Sequence, residues 1–207
     1  MSKEARFWDK VAKKYAKSPI KNVEAYNQTM ERTKAHLTKV DAVLEVGCGT
    51  GSTALLLAHS AKQITASDIS GTMIKIATQK ATEQQIENVS FVRSSALNEA
   101  MEPESFDVVL AFNLLHLLED LPTTVHRMNT LLKTGGIFIS KTVCLAEKGW
   151  HIRVIIRLMR IFGFAPYVGF LKAKELENLI AREGFEVLET GSYPASPPSR
   201  FIVARKK

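Results

Sequence analysis

Cysteine is scarce in this chain. Only Cys48 and Cys144 occur in 207 residues, and neither sits in a CxxC pair or at a zinc-ligand spacing. A disulfide framework is therefore excluded, and a reducing, cytoplasmic setting is expected. No run reaches the ~18 consecutive apolar residues of a membrane helix. The opening MSKEARFWDK lacks the apolar centre of a secretory signal. No repeat of 20–50 residues and no low-complexity tract interrupts the chain. His36, His59 and His126 have no partner at metal-ligand spacing, so no metal is expected. What is present is ordinary globular usage, 45% apolar and 24% charged. That length and composition suit one domain with a real core.

Charge is unevenly placed. Residues 1–40 carry net +6, residues 41–147 net −5, and residues 148–207 net +6. Basic ends flanking an acidic middle fit an anionic small molecule or a lipid surface. They also fit nucleic acid, although no RNA-binding signature accompanies them.

The apolar pattern then divides the chain. Phe7, Val11 and Tyr15 recur every four residues and predict a helix. Ser18-Pro19 ends it, and a second helix is expected over residues 24–36. From Ala42 the texture changes to short Val- and Ile-rich runs alternating with helical segments. Strands are expected at 42–46, 63–67, 89–93, 106–112 and 137–142. Helices are expected at 53–61, 73–84 and 121–132, with Ser70 as a cap and Thr134-Gly135-Gly136 as a stop. Such alternation predicts an α/β fold, a doubly wound sheet with helices on both faces. A helix at 173–182 and strands at 185–190 and 201–204, joined by the loop 193–199, predict a closing antiparallel hairpin. The expected organisation is a single unit: a helical cap (1–40), a core (41–147), a lid-like insertion (148–172), and a closing helix and hairpin (173–207).

The strongest local signal is VLEVGCGTG at residues 43–51. Glycines at 47, 49 and 51 after a strand let backbone turn tightly against a ligand. The lysine of a P-loop is missing, and Ser52 stands where a dinucleotide loop would have glycine. Asp68 ends the next strand, where its carboxylate can accept two ribose hydroxyls. It would repel a ribose phosphate.

Together, residues 43–51, Asp68, the strand Phe106-Asp107-Val108-Val109 and Leu132-Lys133-Thr134-Gly135-Gly136 resemble the motifs of class I S-adenosylmethionine-dependent methyltransferases. The likeness spans about residues 7–142. It implies a Rossmann-like sheet of seven strands, the seventh antiparallel. By resemblance, Glu45 and the loop Gly47, Cys48, Gly49 and Gly51 hold the methionine part of S-adenosyl-L-methionine. Asp68 holds the ribose, Ile69 and Met73 line the adenine, and Phe112 and Asn113 face the sulfonium and methionine side. Phe7-Trp8-Asp9 with Tyr15 is similar to the capping helix of the quinone-methyltransferase-like, small-molecule branch. Where the family often has Gly-Asp-Ala against adenine, this chain has Ser94-Ser95-Ala96-Leu97. Ser95, beside Ala96 and Leu97, accepts a hydrogen bond there without charge.

Methyl transfer is an in-line displacement, so alignment and dehydration supply most of the rate. His116, three residues past Asn113, is the candidate base for an acceptor that carries a proton. The alternative is that it packs or caps the next helix. His151 is a second candidate. Residues 150–164 are apolar apart from His151 and Arg153, Arg157 and Arg160, the three arginines falling on one helical face. As a lid, this segment would line the acceptor pocket with Ile155 and Ile156. As a core helix, it would be unfolded by polar changes there. It also suits a membrane surface. The expected activity is methyl transfer to a small, partly apolar molecule. The alternatives are a tRNA or rRNA substrate, or a cofactor-binding module without turnover. The chain has Asn113-Leu114-Leu115-His116 in place of an Asn-Pro-Pro-Tyr-type motif, which weighs against nucleic acid.

Overall fold

In the computed structural model, residues 1–98, 100–146, 150–196 and 198–207 are described. The expected core–lid boundary at 147/148 and residue 197 of the closing loop lie outside them.

Strands β1 (Ala42–Val46), β2 (Gln63–Asp68), β3 (Val89–Arg93), β4 (Phe106–Phe112) and β5 (Leu132–Val143) pair in parallel. They are joined by β6 (Phe185–Ser192) and β7 (Ser199–Lys206), with β7 antiparallel to both β5 and β6. The order across the sheet is β3-β2-β1-β4-β5-β7-β6. This is the expected seven-stranded arrangement. Helices α3 (Ser52–Leu57), α4 (Gly71–Glu83) and α5 (Leu121–Leu131) make crossovers between parallel strands, and α7 (Ala173–Arg182) precedes β6. Helices α1 (Lys3–Lys17) and α2 (Val23–Lys34) come first, and α6 (Trp150–Ile161) follows β5.

Side-chain alternation along the strands builds two apolar layers. Val43, Ile64, Val108, Ile139 and Phe201 pack with Leu57 and Met30 on one face. Leu44, Val109, Phe138 and Ile202 pack with Val125, Met128 and Ile180 on the other. Central strands covered on both faces read as continuous apolar runs, which is why β4 was legible. Each fully buried Leu, Ile or Phe contributes about 1.5–3 kcal/mol. Strand order reverses at β1, and the crevice at the carboxyl ends there is where open α/β sheets bind ligands.

A capping interaction fixes α1 over that crevice. Ser70 Oγ accepts from Met73 N (3.1 Å), capping α4 as expected. Asp9 of α1 then accepts from Ser70 Oγ (2.6 Å) and Thr72 N (2.9 Å). These bonds, led by that from Ser70, hold the Asp9 carboxyl below its ordinary pKa.

Two elements differ from expectation. Gly135-Gly136 does not separate helix from strand: α5 already stops at Leu131, and the glycines form a bulge within β5, between the pairings Phe106–Leu132 and Val108–Ile137. A Cβ on Gly136 would lie 2.8 Å from the Lys133 carbonyl oxygen and 3.0 Å from that of Asp107, so the bulge needs glycine there. In α6, none of the described side chains is buried, and its last residue Ile161 and, just beyond it, Phe162 and Phe164 are 75%, 70% and 71% exposed. It is not a core helix.

Candidate active site

The glycine loop is built by hydrogen bonds to β2. Gly47 N and Cys48 N both donate to the Ser67 carbonyl, at 2.8 and 2.9 Å. Gly51 has φ +76°, and a Cβ there would stand 2.7 Å from the Phe91 ring and 2.8 Å from Ala77 Cβ. No other residue fits. Asp68 pins the loop from below: Oδ2 accepts from Gly49 N (2.9 Å) and Oδ1 from Ser70 N (2.8 Å). Each oxygen keeps a further lone pair for a ligand hydroxyl. Burial raises the Asp68 pKa, against the lowering effect of those two N–H groups.

Glu45 lies behind the loop, buried, and its Oε2 meets no hydrogen-bond donor among the described residues. Burial pushes its pKa up to about 8, with the Ala54 N–H opposing and the nearby Asp68 charge reinforcing the shift. Folded protein therefore holds the Glu45 proton more tightly than unfolded chain, where the ordinary value is 4.5. Stability conferred by that proton is lost as pH rises from about 4.5 through 8. Glu45→Gln should flatten this decline. Thermal melts at pH 6 and 8.5 should show the wild type losing more stability than the variant, and an identical pH response would contradict the assignment.

Together these elements enclose a cavity of about 170 Å³ at the strand ends. Of the residues expected from sequence, Tyr15, Gly47, Gly49, Asp68, Ile69, Met73, Ala96, Phe112 and Asn113 line it. Asn113 has φ +53°, a left-handed conformation that Asn tolerates better than most residues. Its N–H donates to the Lys141 carbonyl at 2.7 Å. Trp8 roofs the cavity from α1, edge-on to Phe7 (5.3 Å) and Tyr15 (6.4 Å). No lysine, arginine or histidine is among the described lining residues, whereas Asp68 and Glu4 are.

A family model described as a methyltransferase domain matches residues 37–158. The chain belongs to this family. The methyltransferase takes its methyl group from S-adenosylmethionine. It is 27% identical to the ubiquinone biosynthesis O-methyltransferase of Xanthomonas euvesicatoria over 188 residues, covering 88% of this chain and 76% of that protein. The Rickettsia canadensis protein of the same description is 26% identical over 167 residues, 77% and 70% of the two chains. Similar folds are a putative methyltransferase from Bacillus halodurans (TM-score 0.73, 16% identity, 89% and 99% covered) and a Streptomyces coelicolor enzyme. The latter, a geranyl diphosphate C-methyltransferase, has TM-score 0.74 and 14% identity over 88% and 79%.

Several expected site residues lie elsewhere in the methyltransferase. Ser94 N donates to the Asp68 carbonyl at 2.9 Å, closing the β2–β3 ladder at the Asp68–Arg93 pair. Ser94 and Ala96 consequently line the cavity, and Ser95 and Leu97 do not. Cys48 is buried outside the lining, where burial chiefly pushes its thiol pKa up, and Gly51 packs against Phe91 and Ala77. His116 sits in a short turn, Leu115–Leu117, with its Nδ1 buried and without a hydrogen-bond partner among the described residues. It does not line the cavity, and burial pushes its pKa down to about 4, so the ring is neutral near pH 7. His151 and the other described side chains of α6 do not line it either.

Sequence reasoning missed Glu4, Val46, Ser94, Leu114, Leu117, Leu118 and Pro166. The run Leu114-Leu115-His116-Leu117-Leu118 was a usable signal. Attention to the histidine passed over the leucines around it. Pro166 is brought in from far along the chain. Gly169 N donates to the His116 carbonyl at 2.7 Å, holding that segment against the turn after β4.

Proposed function

We propose that the chain methylates a small, partly apolar acceptor bound beside Trp8, Leu114, Leu117, Leu118 and Pro166. The observation that carries this reading is the character of the cavity, with the Asp68 carboxylate beside the glycine loop and an apolar wall of Leu114, Leu117, Leu118 and Pro166 facing the acceptor. When bound, S-adenosylmethionine supplies an electrophilic methyl group on a sulfonium. The residues present fit such a ligand. Asp68 lines the cavity with lone pairs left to accept from ribose hydroxyls, and Ile69 and Met73 would offer an apolar slot for the base. Glu45, with a buried oxygen that lacks a donor among the described residues, would answer the ammonium from behind the glycine loop, and that charge would draw off the Glu45 proton. Tyr15 and Asn113 are the polar groups near the methionine end, while Ser94 replaces Ser95 on the adenine side.

The chain's own contribution is to align and dehydrate the acceptor. A roof of Trp8 and a wall of leucines exclude water, and the aromatic face favours a cationic centre. His116 is assigned a packing role. The cap, the core and the segment 150–172 act as one catalytic unit, the last reaching the acceptor entrance through Pro166. That two relatives are O-methyltransferases of ubiquinone biosynthesis supports an oxygen acceptor on a small molecule. The exposed apolar residues Ile161, Phe162 and Phe164 beside three arginines support peripheral contact with an anionic membrane surface, where apolar acceptors concentrate.

Incubation with methyl-labelled S-adenosylmethionine and cell extract tests the reading. Label should enter small, solvent-extractable molecules, and removing membranes from the extract should lower it. Label confined to RNA would favour the nucleic-acid alternative, and binding without any labelled product would favour a module without turnover.

A further inference from the structure

A second cleft adjoins the cavity. It has a volume of about 220 Å³ and lies between the first turns of α1 and the residues that follow α6. Lys3, Arg6 and Lys10 line it from α1, and Arg160 lines it from α6. The spacings 3 and 4 put the α1 cations on one helical face. Glu4 and Pro166 line both the cleft and the cavity, so the two spaces meet there.

The charges of the two spaces are opposite. The cavity has carboxylates and no cationic side chain among its described lining residues; the cleft has four cations and one carboxylate, Glu4. Arg160 is already oriented: its guanidinium lies 5.0 Å above the Tyr167 ring and pairs with Glu119. Lys3, Arg6 and Lys10 have no carboxylate partner among the described residues. Three unpaired cations spaced around a concave surface repel one another. An anion placed among them relieves that repulsion and gains charge-assisted hydrogen bonds.

We propose that the methyl acceptor is an amphipathic anion, its apolar body against Trp8, Leu117 and Leu118 and its carboxylate or phosphate in the cleft formed by Lys3, Arg6, Lys10 and Arg160. The inference rests on the methyltransferase reading of the cavity and specifies its substrate class. The arrangement separates the two charged ligands. A cationic methyl donor is favoured at the Asp68 end, an anionic acceptor at the α1–α6 end, and the acceptor's apolar part spans the boundary. The basic N-terminal segment thereby acquires a role that nucleic acid is not needed to explain.

Calorimetry on the full chain tests this, with S-adenosylhomocysteine first added to saturation. Octyl phosphate, octanoate and octanol are then titrated in turn. Both anions should bind at least about tenfold more tightly than octanol, a difference of about 1.4 kcal/mol. Which anion binds more tightly distinguishes phosphate from carboxylate recognition. Arg6→Gln/Lys10→Gln should lose that advantage and keep its affinity for octanol and S-adenosylhomocysteine. Raising the salt concentration should weaken the anions selectively. Octanol binding as tightly as the anions, undiminished anion affinity in the double variant, or no anion binding in the presence of bound S-adenosylhomocysteine would each overturn the proposal. Absence of heat with S-adenosylhomocysteine itself would instead strike at the cavity's assignment.

Discussion

Asp68→Ala should weaken S-adenosylhomocysteine binding by at least about 100-fold, because it removes charge-assisted hydrogen bonds to a ribose and the anchors of the loop together. The two anchors are the bonds from Gly49 N and Ser70 N to the carboxylate. Losing them frees the glycine loop to sample other conformations, so a binding-competent state must be ordered at extra cost. Asp68→Asn separates the contributions. Its amide oxygen can hold one backbone N–H, but its NH₂ faces the other donor, so binding should be intermediate or worse. Calorimetric titration reads the affinity, and a thermal melt shows whether the variant is folded. Folded Asp68→Ala protein with wild-type affinity would remove the ribose role from Asp68.

Gly51→Ala should be the most damaging single methyl group in the chain. The residue must keep φ +76°, which costs a non-glycine side chain about 1–2 kcal/mol. Its Cβ would also press on Phe91 at 2.7 Å and Ala77 at 2.8 Å, adding about 1–3 kcal/mol of overpacking. At roughly 2–4 °C per kcal/mol for a chain of this size, the melting temperature should fall by roughly 4–20 °C. Cofactor affinity should fall with it, since Gly51 holds the end of the loop. By contrast, Gly135→Ala meets nothing within 4 Å at its Cβ and carries only the cost of its positive φ. Equal melting temperatures for Gly51→Ala and Gly135→Ala would contradict the packing argument.

The parts legible from sequence are those whose determinants are local. The glycine loop follows β1 directly, Ser70 caps the helix it precedes, and Asp68 ends its own strand, so adjacent residues announced them. The central sheet was legible because strands buried on both faces carry unbroken apolar runs. Errors arise where long-range geometry decides. The choice between Ser94 and Ser95 depends on how the Ser94 N–H is tied to the Asp68 carbonyl at the end of β3, and that bond has no signature within Ser94-Ser95-Ala96-Leu97. Gly135-Gly136 looks the same before a strand and inside a bulge; only the approach of the Asp107 carbonyl distinguishes them. The amphipathic spacing of residues 150–164 suits a core helix or a surface helix equally. None of its described apolar side chains is buried in the fold, which periodicity cannot reveal. Pro166 reaches the cavity through a tertiary hydrogen bond between Gly169 and His116, again outside local reach. The cleft beside Lys3 and Arg160 joins residues 157 positions apart, so the basic ends could be counted but not placed together.

S-adenosylmethionine should bind in the space beneath Trp8 and Tyr15. The most direct measurement is a crystal structure of the protein grown with S-adenosylhomocysteine. Such crystals should show ribose hydroxyls on the Asp68 carboxylate, the base against Ile69 and Met73 with Ser94 at its edge, and the ammonium on the Glu45 side of the glycine loop. Density for S-adenosylhomocysteine at any other location, with Asp68 still bonded only to Gly49 and Ser70, would contradict it.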